Sequence, residues 1–415
     1  MVHVLNVNIL TIREKAKEIA TDHVSEFPDY YNRLDKMEKQ AEKYWGKKEN
    51  KKEKKMNTIH FTKEDKSHET FTSALKKNVN NYFKENHIST TANTTMVIKT
   101  IVMVSLYLVP FVLLLIYDPT VWIAILLVVL MGIGIAGTGM GVMHDAVHGA
   151  YSKKQWVNKL LGSSLYLLGS NVLNWKIQHN VLHHTYTNIN DYDEDIESKG
   201  PIRLAEQAPL KKIHKYQYIH AFFFYGLMTL VKTYNDFPQL AKYNRMGLTK
   251  GQKLTPWKEY TKMLFRKVLY MVLILGLPLY FTSFNWWQVL IGFFIMHWVA
   301  GFILAVVFQL AHVVEGAEQP VLDANGDIDN EFAIHQLLTT SDFARNNWFL
   351  NWFVGGLNFQ VEHHLFPTIC HVHYKNLSYI VEKTAKEFNL PYNLKPSFTA
   401  SFKSHVKRLK ELGRA

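Results

Sequence analysis

Three long stretches of the chain contain no Asp, Glu, Lys or Arg: residues 100–117, 121–143 and 268–314. Uncharged apolar runs of about 18 residues or more are long enough to cross the hydrocarbon core of a bilayer. Only Asp118-Pro119-Thr120 separates the first two, so they read as antiparallel helices joined by a tight turn. The third has length for two crossings; Thr282-Ser283-Phe284-Asn285 breaks it, and Trp286 and Trp287 follow as interface anchors. Four spans result, at about 97–117, 121–143, 268–284 and 286–311. Two other apolar stretches, 155–175 and 216–231, are short for a crossing and predict helices lying in the interface or dipping into it. Ahead of the first span, Phe71, Leu75, Val79 and Phe83 recur at helical spacing and predict an amphipathic lead-in. The pattern as a whole predicts an all-α, multi-pass membrane protein.

Composition alone would hide this. The 415 residues are 48% hydrophobic with a mean hydropathy of −0.10, because polar segments offset the apolar ones. Aromatics at 13% exclude a disordered chain, and the single cysteine, Cys370, excludes an intrachain disulfide framework and a Cys-rich zinc module. The net charge of +12 could suggest nucleic acid, but in a membrane protein it reflects basic cytoplasmic loops. Segment 232–267 carries nine Lys/Arg against two Asp/Glu, whereas the two short connectors between spans carry no Lys or Arg. The positive-inside rule therefore puts that segment and both termini in the cytoplasm. Such a protein would sit in the inner membrane of a bacterium or the endoplasmic reticulum of a eukaryote. Residues 1–55, dense in lysine from Lys47 to Lys55, read as a basic disordered extension without a secretory signal pattern. Residues 56–95 read as the cytoplasmic lead-in, 96–390 as the membrane domain and 391–415 as a basic tail.

The chemistry is carried by histidine, of which there are 20. His144-Asp145-Ala146-Val147-His148 closes the second span, and His179-Asn180-Val181-Leu182-His183-His184 repeats the same i, i+4 spacing with one extra imidazole. On a helix that spacing puts two imidazoles on one face, as a shared metal requires. Gln360-Val361-Glu362-His363-His364 forms a third group, and His312 ends the fourth span. Any one of these could be a hydrogen-bonded interface histidine. Together, beside membrane spans, they are costly unless ligated or paired. With four spans an even number separates the N-terminus from every group, so all lie on one face of the membrane. The zinc-protease pattern is absent, since His68-Glu69 is not followed by histidine at Thr72. Eight imidazoles are too many for one ion and suit two.

The set HDAVH, HNVLHH and QVEHH, with these spans between them, resembles the membrane fatty acid desaturase family. The glutamine opening the third group resembles the front-end branch, which acts between an existing double bond and the carboxyl end. Asn188 to Asp195 (NINDYDED) and Phe349 to Pro367 (FLNWFVGGLNFQVEHHLFP) agree, and the likeness covers roughly 57–390. It implies four transmembrane helices under a cytoplasmic helical cap holding two iron ions, with O2 as co-substrate. Carried over position by position, the implied ligands are His144, His148, His179, His183, His184, His312, His363 and His364, with Gln360 where many relatives have histidine. Asp145, Asn180 and Glu362 would stand behind them and fix imidazole tautomers. His371 and His373 read as structural or headgroup-facing, and His297 as a core histidine. Front-end enzymes often carry a fused cytochrome b5 domain with a His-Pro-Gly-Gly haem motif; that motif does not occur here. The expected electron source is therefore a separate ferredoxin or cytochrome b5. The expected substrate is a long acyl chain on CoA, carrier protein or phospholipid. A hydroxylase, an acetylenase or a sphingolipid desaturase would share these groups. A membrane metal transporter is the non-enzyme alternative, and it would need ligands at mid-membrane.

Overall fold

The computed structural model describes residues 59–62, 69–197, 200–250 and 255–414. The expected extension, 1–55, lies outside them. Among the described residues, four helices are long and apolar enough to cross a membrane: Thr94–Tyr117, Val121–Val147, Trp257–Phe281 and Trp286–His312, called spans 1 to 4 below. Among the described residues, apart from a two-residue parallel pairing of Asp342–Phe343 with Leu394–Lys395 and two isolated bridges, the regular structure is helical.

The spans form because their residues are predominantly apolar, and a helix satisfies its own backbone in lipid. They pack through small residues, as membrane helices do. A Cβ on Gly134 of span 2 would lie 2.5 Å from the Tyr107 backbone nitrogen of span 1. One on Gly132 would lie 2.6 Å from the Met296 carbonyl of span 4. Tyr107, Met131, Ile135, Tyr270, Ile274, Met296 and Ala300 then join all four spans in one buried cluster. The opposite faces stay apolar and exposed, as at Ile101, Ile116, Trp122 and Leu290, and suit lipid. His297 is buried in this layer as expected, with Nε2 2.7 Å from Tyr270 Oη and Nδ1 3.1 Å from Thr229 Oγ1.

Span 3 departs from the sequence pattern at both ends. It begins at Trp257, about three turns before the first uncharged position, and stops at Phe281, so residues 282–284 form the turn instead. Charge at its start is neutralised locally. Lys262 Nζ is 2.8 Å from Glu259 Oε1, and Lys267 Nζ is 2.6 Å from Asp236 Oδ2. At its end, Ser283 N donates to Asp118 Oδ1 at 2.9 Å, tying together the two turns between spans. The stretches 155–175 and 216–231 do not form spans. The first breaks into Gln155–Gly162, a 3-10 turn Ser163–Leu168 and Val172–Lys176, and the second contains the ten-residue helix Gln217–Gly226.

The lead-in helix is Phe71–Glu85, and the predicted Phe71, Leu75, Val79 and Phe83 are all buried. They pack on Leu337, Leu365, Leu377 and Val381, which belong to the helices Phe332–Thr339, Gln360–Leu365 and Tyr374–Glu387. This layer caps the ends of spans 2 and 4. The expected basic tail packs separately, beside the end of span 4. Phe398–Leu412 is a helix with Leu409 and Leu412 buried, and His405 Nδ1 donates to the Val313 carbonyl at 2.7 Å just beyond span 4. Amphipathic spacing within a lysine-rich segment is the reason: its basic residues face outward while Ser401, Ser404, His405 and Leu409 face in.

Candidate metal centre

Span 2 does not end as a plain α-helix. Its last turns widen into a π-helical segment, Thr138–Met143, immediately before His144–Val147. The second histidine group sits on another π-helical segment, Ile177–His183. Such widened turns shift the register of side chains and recur at functional sites. Here the second group presents His183 and His184 to different neighbours. The third group lies on the short helix Gln360–Leu365, and His312 is the last residue of span 4.

These four elements converge. Ligand-capable atoms of His144, His148, His179 and His363 lie within 4.8 Å of one another, and so do those of His183, His312 and His364. His184 stands between the two sets, with Nε2 2.9 Å from His363 Nε2 and its ring stacked on His364 at 4.3 Å. His144 Nε2 is 3.0 Å from His179 Nε2. Gln360 is buried beside His312, and its Oε1 has no hydrogen-bond partner. Because the rings of His148 and His179 are 5.2 Å apart, the chain between them returns to the side it left, as the count of spans required.

The residues fit a pair of metal ions. His148 Nε2, His183 Nε2, His364 Nε2 and both ring nitrogens of His312 are buried without a partner, a cost that ligation would remove. Burial, and after it the neighbouring imidazoles, hold His148, His179, His184, His363 and His364 well below the ordinary histidine pKa. They are therefore neutral with a lone pair available. His183 differs: burial alone would lower it, but the charge and hydrogen bond of Asp193 raise it.

Behind the inward nitrogens the outward ones are held. His183 Nδ1 lies 3.0 Å from Asp193 Oδ2, which also accepts from the Asn188 backbone N–H at 2.9 Å. His364 Nδ1 lies 2.8 Å from Gln336 Oε1. His363 Nδ1 is 3.3 Å from Tyr374 Oη, whose own proton goes to the Phe366 carbonyl. Each contact places N–H on Nδ1 and aims Nε2 at the cluster, the arrangement that orients metal-bound histidine. Asn188, in the left-handed backbone region at φ 58°, donates to the carbonyls of His312 and Thr339 and so joins the second group to span 4.

Asp145 is buried behind the first group, its Oδ1 3.9 Å from His144 Nδ1, but its hydrogen bonds go to His371. Asn180 reaches the Val147 carbonyl at 3.4 Å rather than an imidazole. Glu362 shares the Tyr392 hydroxyl with Asp342, at 3.0 and 2.6 Å, and its other oxygen has no hydrogen-bond partner. His371 does not face headgroups: it is 4% exposed and bonded on both ring nitrogens. His373 donates its Nε2 proton to the Thr91 carbonyl at 3.2 Å, a structural contact. Asp193, Gln336 and Tyr374 escaped the sequence reading as individual residues. Asp193 lay within the NINDYDED segment, but nothing in the text around Gln336 or Tyr374 signals a role.

A buried, nitrogen-rich, paired site at one end of four spans defines a membrane oxidoreductase. The family model for fatty acid desaturases matches residues 120–396, and the chain belongs to that family. It is 34% identical over 349 residues to the sn-1 linoleoyl-lipid 6-desaturase of Synechocystis, covering 83% of this chain and 96% of that protein. It is 34% identical over 351 residues to the acyl-lipid (8-3)-desaturase of Physcomitrium patens, covering 84% and 73% respectively. Delta(5) fatty acid desaturase A of Dictyostelium discoideum is 33% identical over 284 residues, 66% of this chain and 60% of that one. The protein is thus a fatty acid desaturase of the front-end type to which the glutamine of its third group pointed. Separately, residues 8–40, within the expected extension, are similar to a family described only as a protein of unknown function (DUF5661).

Proposed function

We propose that His144, His148, His179 and His363 face one iron and that His183, His312, His364 and Gln360 face a second, with His184 between them. When bound, such a pair supplies the activation of O2 that converts two adjacent methylenes into a cis double bond. The chain's own residues do the rest. Asp193, Gln336 and Tyr374 hold protons on the Nδ1 atoms of His183, His364 and His363, so their Nε2 atoms stay unprotonated. The cap of helices Phe71–Glu85, Phe332–Thr339 and Tyr374–Glu387 keeps bulk water from the imidazoles.

The substrate we propose is a lipid-linked polyunsaturated precursor such as a linoleoyl chain, with the new bond on the carboxyl side of an existing one. The names of the relatives support this, and the exposed apolar faces of the spans give a lipid-borne chain a route that needs no passage through water. Electrons come from a separate acidic donor docking on the face that holds the cap, which we assign to the cytoplasm. The observation that carries the reading is the pair of imidazole clusters whose partnerless nitrogens turn inward at one end of the spans. Fatty-acid profiling of cells expressing the chain, with and without added linoleate, tests it. The expected result is a linoleate-dependent acid with one further double bond nearer the carboxyl, found in phospholipid. A hydroxy acid, or an unchanged profile with the protein present in the membrane, would contradict it.

A further inference from the structure

Lys99 is the one charged residue of span 1, and it is 2% exposed. An ammonium group inside a membrane span is costly. Five residues from the helix start, it could snorkel to the interface, yet it turns inward. Its Nζ lies 2.5 Å from His371 Nε2 and 5.9 Å from the centre of the Trp352 ring. His371 Nδ1 lies 2.8 Å from Asp145 Oδ2, and the His371 backbone N–H donates to the same oxygen at 3.1 Å. With the aspartate ionised and the lysine protonated, the donors and acceptors pair as follows. Asp145 accepts from Nδ1–H, so Nε2 keeps its lone pair and accepts from the lysine. A neutral imidazole therefore separates a buried cation from a buried anion.

The backbone leaves room for this row. A Cβ at Gly141, in the π-helical segment before His144, would lie 3.3 Å from Lys99 Cδ. One at Gly356 would lie 2.6 Å from His371 Cβ. Asp145, Cys370 and His371 could bracket a metal ion by distance alone, but the lysine already supplies the positive charge there and both His371 nitrogens are occupied. The row ends against the first histidine group, at His144 Nδ1.

We propose that Lys99 is a positioning residue for His144: through His371 it pins the Asp145 carboxylate, and the charge of that carboxylate, 3.9 Å from His144 Nδ1, raises the donor strength of the His144 ring. This rests on the ligand set proposed above. A carboxylate behind a metal-bound imidazole raises its basicity, and losing such partners costs on the order of 10–100-fold in metal affinity or activity. The test uses the full-length purified protein loaded with iron. It reads iron per chain, the Mössbauer spectrum and turnover. Lys99→Met and His371→Leu should each lower turnover about 10–100-fold and alter the signal of one iron while the other is unchanged. His371→Gln, whose amide can accept from lysine and donate to aspartate, should recover most of the loss. Lys99→Met combined with Asp145→Asn removes both buried charges, so folding survives even where the single lysine change unfolds the protein. That pair should still show the altered single-iron signal and slow turnover. Wild-type turnover and spectrum in the variants, or failure of the charge-neutral pair to fold, would overturn the proposal in favour of a purely structural brace. A wild-type protein that holds no iron would instead sink the ligand set.

Discussion

Gln336 does the most among residues that no motif announces. Its Oε1 accepts from His364 Nδ1 and from Thr187 Oγ1 at 2.8 and 2.9 Å, while its Nε2 donates to the His184 carbonyl at 3.1 Å. Gln336→Leu should therefore lower iron affinity or turnover about 10–100-fold, read by metal analysis after graded chelation and by product yield. Unchanged iron retention and rate would show that His364 needs no outer partner. Histidines away from the ligand set carry a pH signature. Burial pushes His335 and His405 down to about 4. The unfolded chain takes up these protons near pH 6.5, so the stability they contribute is present above about 6.5 and is lost as pH falls toward 4. Each contributes at most on the order of 3 kcal/mol. Thermal unfolding in detergent should accordingly occur at lower temperature at about pH 5 than at about pH 7.5, and His405→Gln should shrink the difference. The box histidines were legible because their spacing is local. Gln336 lies 28 residues from His364, and Lys99 lies 272 from His371, so only the fold unites them.

At the scale of elements, apolar runs located four spans, and alternation at helical spacing located the lead-in helix. What they missed was set by pairing. Lys262 and Lys267 belong to span 3 because Glu259 and Asp236 neutralise them, and a window that scores residues one at a time cannot see that. The C-terminal helix was hidden by its lysines in the same way, its buried face being only a few residues wide. The π-helical segments also left no mark in the text, since their register shift comes from packing. Close approach of spans gives a direct test. A side chain at Gly132 would meet the Met296 carbonyl at 2.6 Å and Val299 Cβ at 2.9 Å. Gly132→Val should destabilise the bundle by about 3 kcal/mol and lower its unfolding temperature in detergent. A variant with wild-type stability would mean that spans 2 and 4 do not pack as described.

For the whole molecule, the expectation of an external electron donor has to account for which cations are free to meet it. Of the nine basic residues in 232–267, Lys242 pairs with Glu194, Lys267 with Asp236 and Lys262 with Glu259, and Arg266 stacks on Tyr166. Exposed Lys258 at the start of span 3 has its ammonium over the ring of exposed Trp257, 5.9 Å from the ring centre. Long-range steering by the remaining surface charge acts over a Debye length of about 8–10 Å and is screened by salt. Donor-dependent turnover should therefore fall as ionic strength rises, with iron content constant. Lys258→Glu should raise the donor concentration giving half-maximal rate. Insensitivity to both would place docking on an apolar surface. Beneath every other statement about this molecule lies the joining of three histidine groups and His312 into one paired centre. Iron and zinc analysis of the purified, active protein tests that most directly. About two irons per chain with little zinc are expected, falling sharply in both His183→Ala and His312→Ala although each variant still inserts in the membrane. One equivalent of zinc, or undiminished iron in those variants, would contradict it.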